Sequence, residues 1–412
     1  MSFSDNAFQM IDALERTPGW TEVAGDLDRA TLEAILGEAA KLAEDRIAPL
    51  NEVSDRVGAT FSDGEVQLPP GFREGFDALA EGGWLGIEQP EELGGMGLPI
   101  TAFVASDLLF ERACPALMMA ATASRSAALL LTSWAPTEIR NDWVPALLAG
   151  KRCATICISE PEAGSDLGRI RTRATPGQDG WLISGQKIWI SFGEHDLRDR
   201  IGHCLLARTG DEPGTRGLSL FFVEKGSGVA CERIEEKLGL HGSPTCALRF
   251  EGAPAILIGE EGRGLPQLFT MIRHMRLQVA CQGLGTALGV LAVAQEHAET
   301  RRQGGNPKEK PVPIIEHPDV RRQLNEMQVA TDLFRLALVQ TTVAADLSVD
   351  DRAMARLCAL LLPLIKNFGA ELGFDTAAKA ILVLGGSGFT TDYPVEQALR
   401  DARVFAIYEG TT

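Results

Sequence analysis

Positive charge is what this sequence has too little of. Its 39 lysines and arginines face 56 aspartates and glutamates, for a net charge of −17 and a pI near 4.9. A protein that tracks phosphate backbones needs basic surface, so nucleic-acid binding is excluded. A bound anion would need local cations or backbone N–H groups. The eight cysteines (114, 153, 157, 204, 231, 246, 281 and 358) form no CxxC, and no Cys/His set has zinc spacing. That argues against a metal site and reads them as reduced core residues of a cytoplasmic protein. The first 16 residues carry Asp5, Asp12 and Glu15 and lack the apolar core of a signal peptide. The longest apolar patch, residues 117–131, is interrupted by Ser124-Arg125-Ser126 and is too polar for membrane insertion. Repeats and low-complexity tracts are absent. What is present is a normal globular mixture, 45% hydrophobic and 23% charged, over 412 residues, enough for two or three domains.

The hydrophobic period changes twice along the chain. Residues 1–151 read as helical. The stripe Leu32, Ile35, Leu36, Ala39, Leu42, Ala43, Ile47 predicts a helix that Pro49 ends. A polar excursion over 51–70 follows, then helices over 72–81, 100–112, 116–132 and 137–148. From 152 to 259 the chain reads as short β-branched or aromatic runs (152–158, 181–183, 186–191, 203–208, 218–223 and 247–250) between Gly/Pro/Asp turns, the signature of a small antiparallel sandwich or barrel. Helical periodicity returns over 260–412, with long patterns at 265–302, 318–347 and 353–384, the last broken or kinked at Pro363. The class is therefore α+β: an N-terminal helical domain (1–151), a middle β domain (152–259) and a C-terminal helical bundle (260–412).

Five stretches can carry chemistry. Residues 400–412, Arg-Asp-Ala-Arg-Val-Phe-Ala-Ile-Tyr-Glu-Gly-Thr-Thr, place Glu409 between an apolar run and Gly410. Burial would raise such a carboxyl toward working pH and make it a general base; a helix end with a glycine stop fits equally. Ile158-Ser159-Glu160-Pro161-Glu162-Ala163-Gly164-Ser165-Asp166 offers hydroxyls and backbone N–H groups to a polar ring edge, or is an ordinary turn. In Lys187-Ile188-Trp189-Ile190-Ser191 the tryptophan is either sheet core or a face for a planar heterocycle. Arg276 and Arg301 lie on one helical pattern, and Arg301 opens a Gly/Pro loop where it could pair with phosphate. Leu384-Gly385-Gly386-Ser387-Gly388-Phe389 can bring amides to a pyrophosphate or simply cap a helix.

In this order and spacing, these motifs resemble the acyl-CoA dehydrogenase family over nearly the whole chain, and residues 51–72, 193–197 and 240–246 resemble a subgroup of larger bacterial members. The resemblance implies a C-terminal four-helix bundle. It implies that Glu409 removes the α-proton of an acyl-CoA thioester while N5 of FAD takes the β-hydride, and that an electron-transfer flavoprotein then collects the electrons. It implies FAD contacts at Ile158, Ser159, Gly164, Ser165, Trp189 and Ser191, with Arg301, Gly386 and Thr411 in a flavin site shared by two subunits of a homodimer or homotetramer. Ser165, Arg276, Glu409 and Gly410 would touch the substrate. Relatives that keep the base on an earlier helix would have it at Met275, which cannot serve, and Glu260 and Glu261 are expected at the surface. Arg125 matches an arginine of the larger members and sits either near the acyl pocket or on a helix surface.

Three departures qualify the match. Leu382 stands where the family has a glutamine that reaches the pyrophosphate, and Gly304 where many members have an aromatic residue. The chain stops three residues after Glu409, so the C-terminal domain reads as truncated. These departures imply a looser hold on FAD. They keep open a non-catalytic or partner-dependent subunit, beside an acyl-CoA oxidase and a flavin monooxygenase of the same fold.

Overall fold

The computed structural model describes residues 1–178 and 180–410. The chain opens with α1 (Phe3–Glu15), α2 (Trp20–Ala24), α3 (Arg29–Leu42) and α4 (Pro49–Arg56). The hairpin β1 (Thr60–Ser62) and β2 (Glu65–Gln67) precedes α5 (Phe72–Glu81), α6 (Ile100–Ala113), α7 (Pro115–Trp134) and α8 (Thr137–Leu148). Strands β3 (Cys153–Cys157), β4 (Arg173–Pro176), β5 (Trp181–Ser191), β6 (Ile201–Arg208), β7 (Leu218–Glu224), β8 (Val229–Ile234) and β9 (Thr245–Ile258) follow. The described chain closes with α9 (Gly264–Thr300), α10 (Pro318–Leu347), α11 (Arg352–Leu384) and α12 (Val395–Ala402). The helical, β, helical order is the one the periodicity predicts.

Two predictions near the N-terminus need correction. Pro49 does not end the first long helix. A π-helical segment, Ala43–Ile47, carries the helical path onward, and Pro49 opens α4. Proline suits a first turn, where its missing N–H would have no partner anyway. The polar excursion after residue 51 accordingly holds most of α4 and the β1–β2 hairpin. Pro363, expected to break or kink its helix, lies inside the continuous α11.

Contact clustering divides the chain into two compact units. The first collects Met1–Glu52, Pro99–Pro115 and the chain from Arg276 onward. Two of its helices start on aspartate caps: Asp28 accepts from Thr31 N at the head of α3, and Asp351 from Ala353 N at the head of α11. Its core includes Val290, Leu291 and Ala294 of α9, Leu324 and Met327 of α10, and Ala377 and Val383 of α11. Helices α9 and α11 approach backbone to backbone at Gly283: a Cβ there would overlap the Gly369 carbonyl. That close crossing needs glycine and brings both helices to the last described turn of the chain. An 18-residue window of α9 is apolar enough to cross a membrane, and 83% of it is buried inside the protein, as in a core helix.

The second unit holds Val53–Leu98 and Ala116–Met275. Its seven-stranded sheet has the order β3-β6-β4-β5-β9-β7, with β8 beside β9 and a further β6–β7 pairing. The pairing is antiparallel except for β3–β6 and the single β4–β6 contact, which run parallel. One apolar core, with Leu205, Phe221, Leu248 and Phe250, lies within the strands. A second packs Trp143 and Val144 of α8 against Phe222 of the sheet, with the Trp143 and Phe222 rings edge to face at 4.7 Å. All eight cysteines are buried, and burial pushes the Cys153 and Cys157 thiols up to about 12.

Candidate active site

The predicted site residues fall into two groups, one in each unit. In the second unit, a β-bulge does the positioning. Strand β5 loses register with β9 between Lys187 and Ile190, so that two β5 residues oppose one on the partner strand. Trp189 occupies the bulge with a left-handed backbone (φ 63°) and turns outward, 60% exposed. It is not sheet core. A tryptophan in a sheet normally buries its ring, so this one presents a flat apolar face.

The loop after β3 is lashed to that bulge. Ile188 N donates to Ser159 O at 2.9 Å, and Lys187 Nζ donates to Ile158 O at 2.9 Å. Glu160 and Ala163 close a tight turn through paired backbone hydrogen bonds. Glu160 anchors the turn from beneath: its carboxylate accepts from Lys187 Nζ (2.8 Å), Arg171 N (2.6 Å) and Thr172 N (3.1 Å). Burial works against the Glu160 anion, but the Lys187 charge and these donors together hold its carboxyl below the usual range. Above this anchor Gly164 and Ser165 are exposed, nothing lies within 4 Å of a Cβ built on Gly164, and Ile158, Ser159 and Ser191 are half-buried. The set comprises one exposed aromatic face, three hydroxyls and an open glycine. It fits a planar cofactor with a polar edge, as FAD is.

In the first unit, the chain after α12 ends its described part at Gly410. Tyr408 OH donates to Gln282 Oε1 on α9, and Gln282 Nε2 donates to Glu111 Oε1 on α6 at 3.3 Å. Lys366 of α11, 2% exposed, sends Nζ to the Gly410 carbonyl at 2.5 Å. Glu409 lies between these tethers with φ 55°, a conformation that a non-glycine residue keeps only where its surroundings fix it. The residue is half-buried. Burial lifts the carboxyl to about 7, against the opposing charges of Lys366 and Arg276. A carboxylate poised there is half ionised at neutral pH and fit to take a proton. Arg276 and Gly410 thus belong with Glu409.

Arg301 and Gly386 lie outside both groups. Both are exposed, one just past α9 and the other in the turn after α11. Thr411 lies outside the described residues. Gly304 has a local reason: its φ is +74°, and a Cβ would press on the His317 ring, which in turn bonds to Gln303 O. The position cannot carry an aromatic side chain without displacing that histidine. Leu382 is 70% exposed on α11. Met275 packs against the apolar core of the second unit, and Glu260 and Glu261 are exposed as expected.

Arg125 is no surface arginine. It is buried on α7, with Nη2 donating to Trp84 O at 2.6 Å and Nε 3.9 Å from Glu88. Sequence reasoning did not single out Lys366. The available signal was one lysine in the apolar run Leu360-Leu-Leu-Pro-Leu-Ile-Lys366, which reads as a snorkelling surface residue. Among the described residues no cluster of three or more His, Cys, Asp or Glu is placed to hold a metal ion.

Comparison with known proteins gives a consistent result. The acyl-CoA dehydrogenase N-terminal, middle and C-terminal domain families match residues 29–151, 155–253 and 262–412. The chain is 34% identical to 3-methylmercaptopropionyl-CoA dehydrogenase of Ruegeria pomeroyi over 100% of its own length and 74% of the relative's. It is also 34% identical to a broad-specificity linear acyl-CoA dehydrogenase of Mycobacterium tuberculosis, over 99% of the chain and 72% of that protein. The fold matches butyryl-CoA dehydrogenase from Megasphaera elsdenii with a TM-score of 0.80 at 24% identity, covering 92% and 94% of the two chains.

Proposed function

Since this chain belongs to the acyl-CoA dehydrogenase family and is an oxidoreductase acting on acyl-CoA, we propose that it desaturates an acyl-CoA thioester between Cα and Cβ, with Glu409 as the base. The observation that carries this reading is Glu409 held in a left-handed turn by tethers on both neighbouring residues, with its carboxyl lifted to about 7.

The α-proton of a thioester is weakly acidic, so its removal needs a base whose pKa lies near the working pH and polarisation of the carbonyl. Glu409 takes the proton, and its own backbone N–H is this chain's donor to the thioester oxygen. Ser165, Arg276 and Gly410 orient the substrate. FAD, when bound, would supply the two-electron acceptor for the β-hydride, at its N5. Ile158, Ser159, Gly164, Ser165, Trp189 and Ser191 would hold it, with Arg301, Gly386 and Thr411 serving the flavin site that two copies share. An electron-transfer flavoprotein is the proposed acceptor.

Assembly into a homodimer or homotetramer is supported by exposed apolar stripes in the first unit, Val329, Leu333 and Leu336 on α10 and Leu360, Leu364 and Phe368 on α11. The buried cysteines suit a reducing compartment, and we place the protein in the cytoplasm. The names of the two relatives above make linear and thioether acyl groups the first substrates to try.

The test is the anaerobic flavin spectrum of the purified protein mixed with saturated linear and thioether acyl-CoA esters. One class of ester is expected to bleach the flavin band, with a rate that falls about tenfold per pH unit below about 7 and levels off above it, because only ionised Glu409 accepts a proton. Bleaching by none of the esters from a flavin-loaded protein would reject the dehydrogenase reading. Purification without flavin would favour the non-catalytic subunit, and rapid reoxidation by O2 the oxidase.

A further inference from the structure

We propose that Lys366 is the positioning residue for Glu409: its buried ammonium, bonded to the Gly410 carbonyl, fixes the turn that presents the carboxylate and supplies the positive charge that faces it. The inference rests on the reading of Glu409 as the base.

A lysine is seldom buried without a partner, because an ammonium loses its hydration there. Lys366 is 2% exposed in the middle of an apolar helix, and desolvation drags its own pKa down. What compensates is specific. Its Nζ donates to Gly410 O at 2.5 Å, and its charge is offset by Glu409 and more weakly by Glu371. Glu371 is engaged elsewhere, in an ion pair with Arg403 at 3.0 Å. The arrangement makes sense as a pair in which Lys366 stays charged because Glu409 ionises, and Glu409 ionises because Lys366 is charged.

The other groups around the site do not replace Lys366. Arg276 on α9 also favours the Glu409 carboxylate and disfavours the Lys366 charge. Tyr408 is held neutral by burial, and behind it Glu111 and Gln282 form the opposite tether. Only Lys366 acts on both the backbone and the charge. The Gly410 bond lies one residue past Glu409, and Tyr408 is held one residue before it. With both neighbours pinned, the left-handed backbone of Glu409 is fixed independently of substrate.

The experiment reads the Glu409 carboxyl directly. Protein labelled with 13C-carboxyl glutamate is titrated by NMR, and Glu409→Gln identifies the Glu409 signal by its loss. In Lys366→Met and Lys366→Gln the titration midpoint is expected to move up by about one pH unit or more, and the pH profile of flavin bleaching to move with it. Lys366→Arg, which keeps the charge, is expected to return both toward the wild-type values. A lysine that merely packs would leave the midpoint in place, so an unchanged midpoint in both neutral variants overturns the proposal. If Lys366→Met does not fold, Lys366→Gln decides, since it keeps a donor for the Gly410 carbonyl. Failure of the base reading would look different: Glu409→Gln would bleach flavin at the wild-type rate, whatever the titrations showed.

Discussion

Glu409→Gln is expected to slow acyl-CoA-dependent bleaching of the bound flavin by about a hundred- to ten-thousand-fold, with the flavin band itself intact. Glutamine keeps the shape of the side chain and leaves both tethers in place, Tyr408 to Gln282 and Lys366 to the Gly410 carbonyl. What it cannot do is accept a proton. Met275, at the alternative position for a base, offers no basic atom. The residual rate should therefore lose the rise through about pH 7 that the ionisation of Glu409 imposes. Flavin retention and that loss of pH dependence together separate a missing base from a damaged fold. A variant that bleaches at the wild-type rate would remove Glu409 from the mechanism.

Lys187→Met is expected to be the most destabilising single change in the second unit, costing about 3–5 kcal/mol. Lys187 is completely buried and Glu160 nearly so, and their ion pair at 2.8 Å carries the loop from Ile158 to Ser165. Removing the ammonium leaves a carboxylate in the interior with only the Arg171 and Thr172 N–H groups, and strips the donor from Ile158 O. Those two remaining donors put the expected loss toward the lower end. Adding Glu160→Gln to Lys187→Met should recover part of it, because a neutral amide leaves no unpaired charge and its carbonyl oxygen still accepts from one of the two N–H groups. Urea unfolding of the single and double variants measures the recovery, and flavin content follows the loop. A double variant no more stable than Lys187→Met would show that the pair is not what anchors the loop.

These two side chains also show how far the sequence could be read. The helices with strong apolar periodicity were legible nearly to the residue: α5 and α10 have the predicted bounds. Strands failed where polarity or glycine broke the pattern. Strand β4, Arg-Ala-Thr-Pro, looks like a turn and pairs with β5 over four residues. Strand β8 carries Glu232 and Arg233 and is bulged against β9. Gly185 split β5 into two predicted pieces, and β9 continues through Gly252 and Pro254, residues that read as a stop.

The candidate site could be singled out where a motif names a side chain with obvious chemistry, as at Glu409 and Trp189, whose roles are proposals. It was not legible where the partner is a backbone atom far along the chain. Nothing in the run before Lys366 encodes a carbonyl 44 residues later. The Lys187–Glu160 link was hidden for a related reason: both residues lie inside stretches that were singled out, but a pairing across 27 positions is set by the fold of the loop.

The buried thiols supply a clock for the opening of the molecule. A thiol reagent reaches only what unfolding exposes. The cysteines divide by unit: Cys114, Cys281 and Cys358 lie in the first, and Cys153, Cys157, Cys204, Cys231 and Cys246 in the second. The order in which peptides containing these residues acquire label therefore reports which half of the chain opens first, the half that carries Glu409 or the half that carries the loop from Ile158 to Ser165, with no engineered probe.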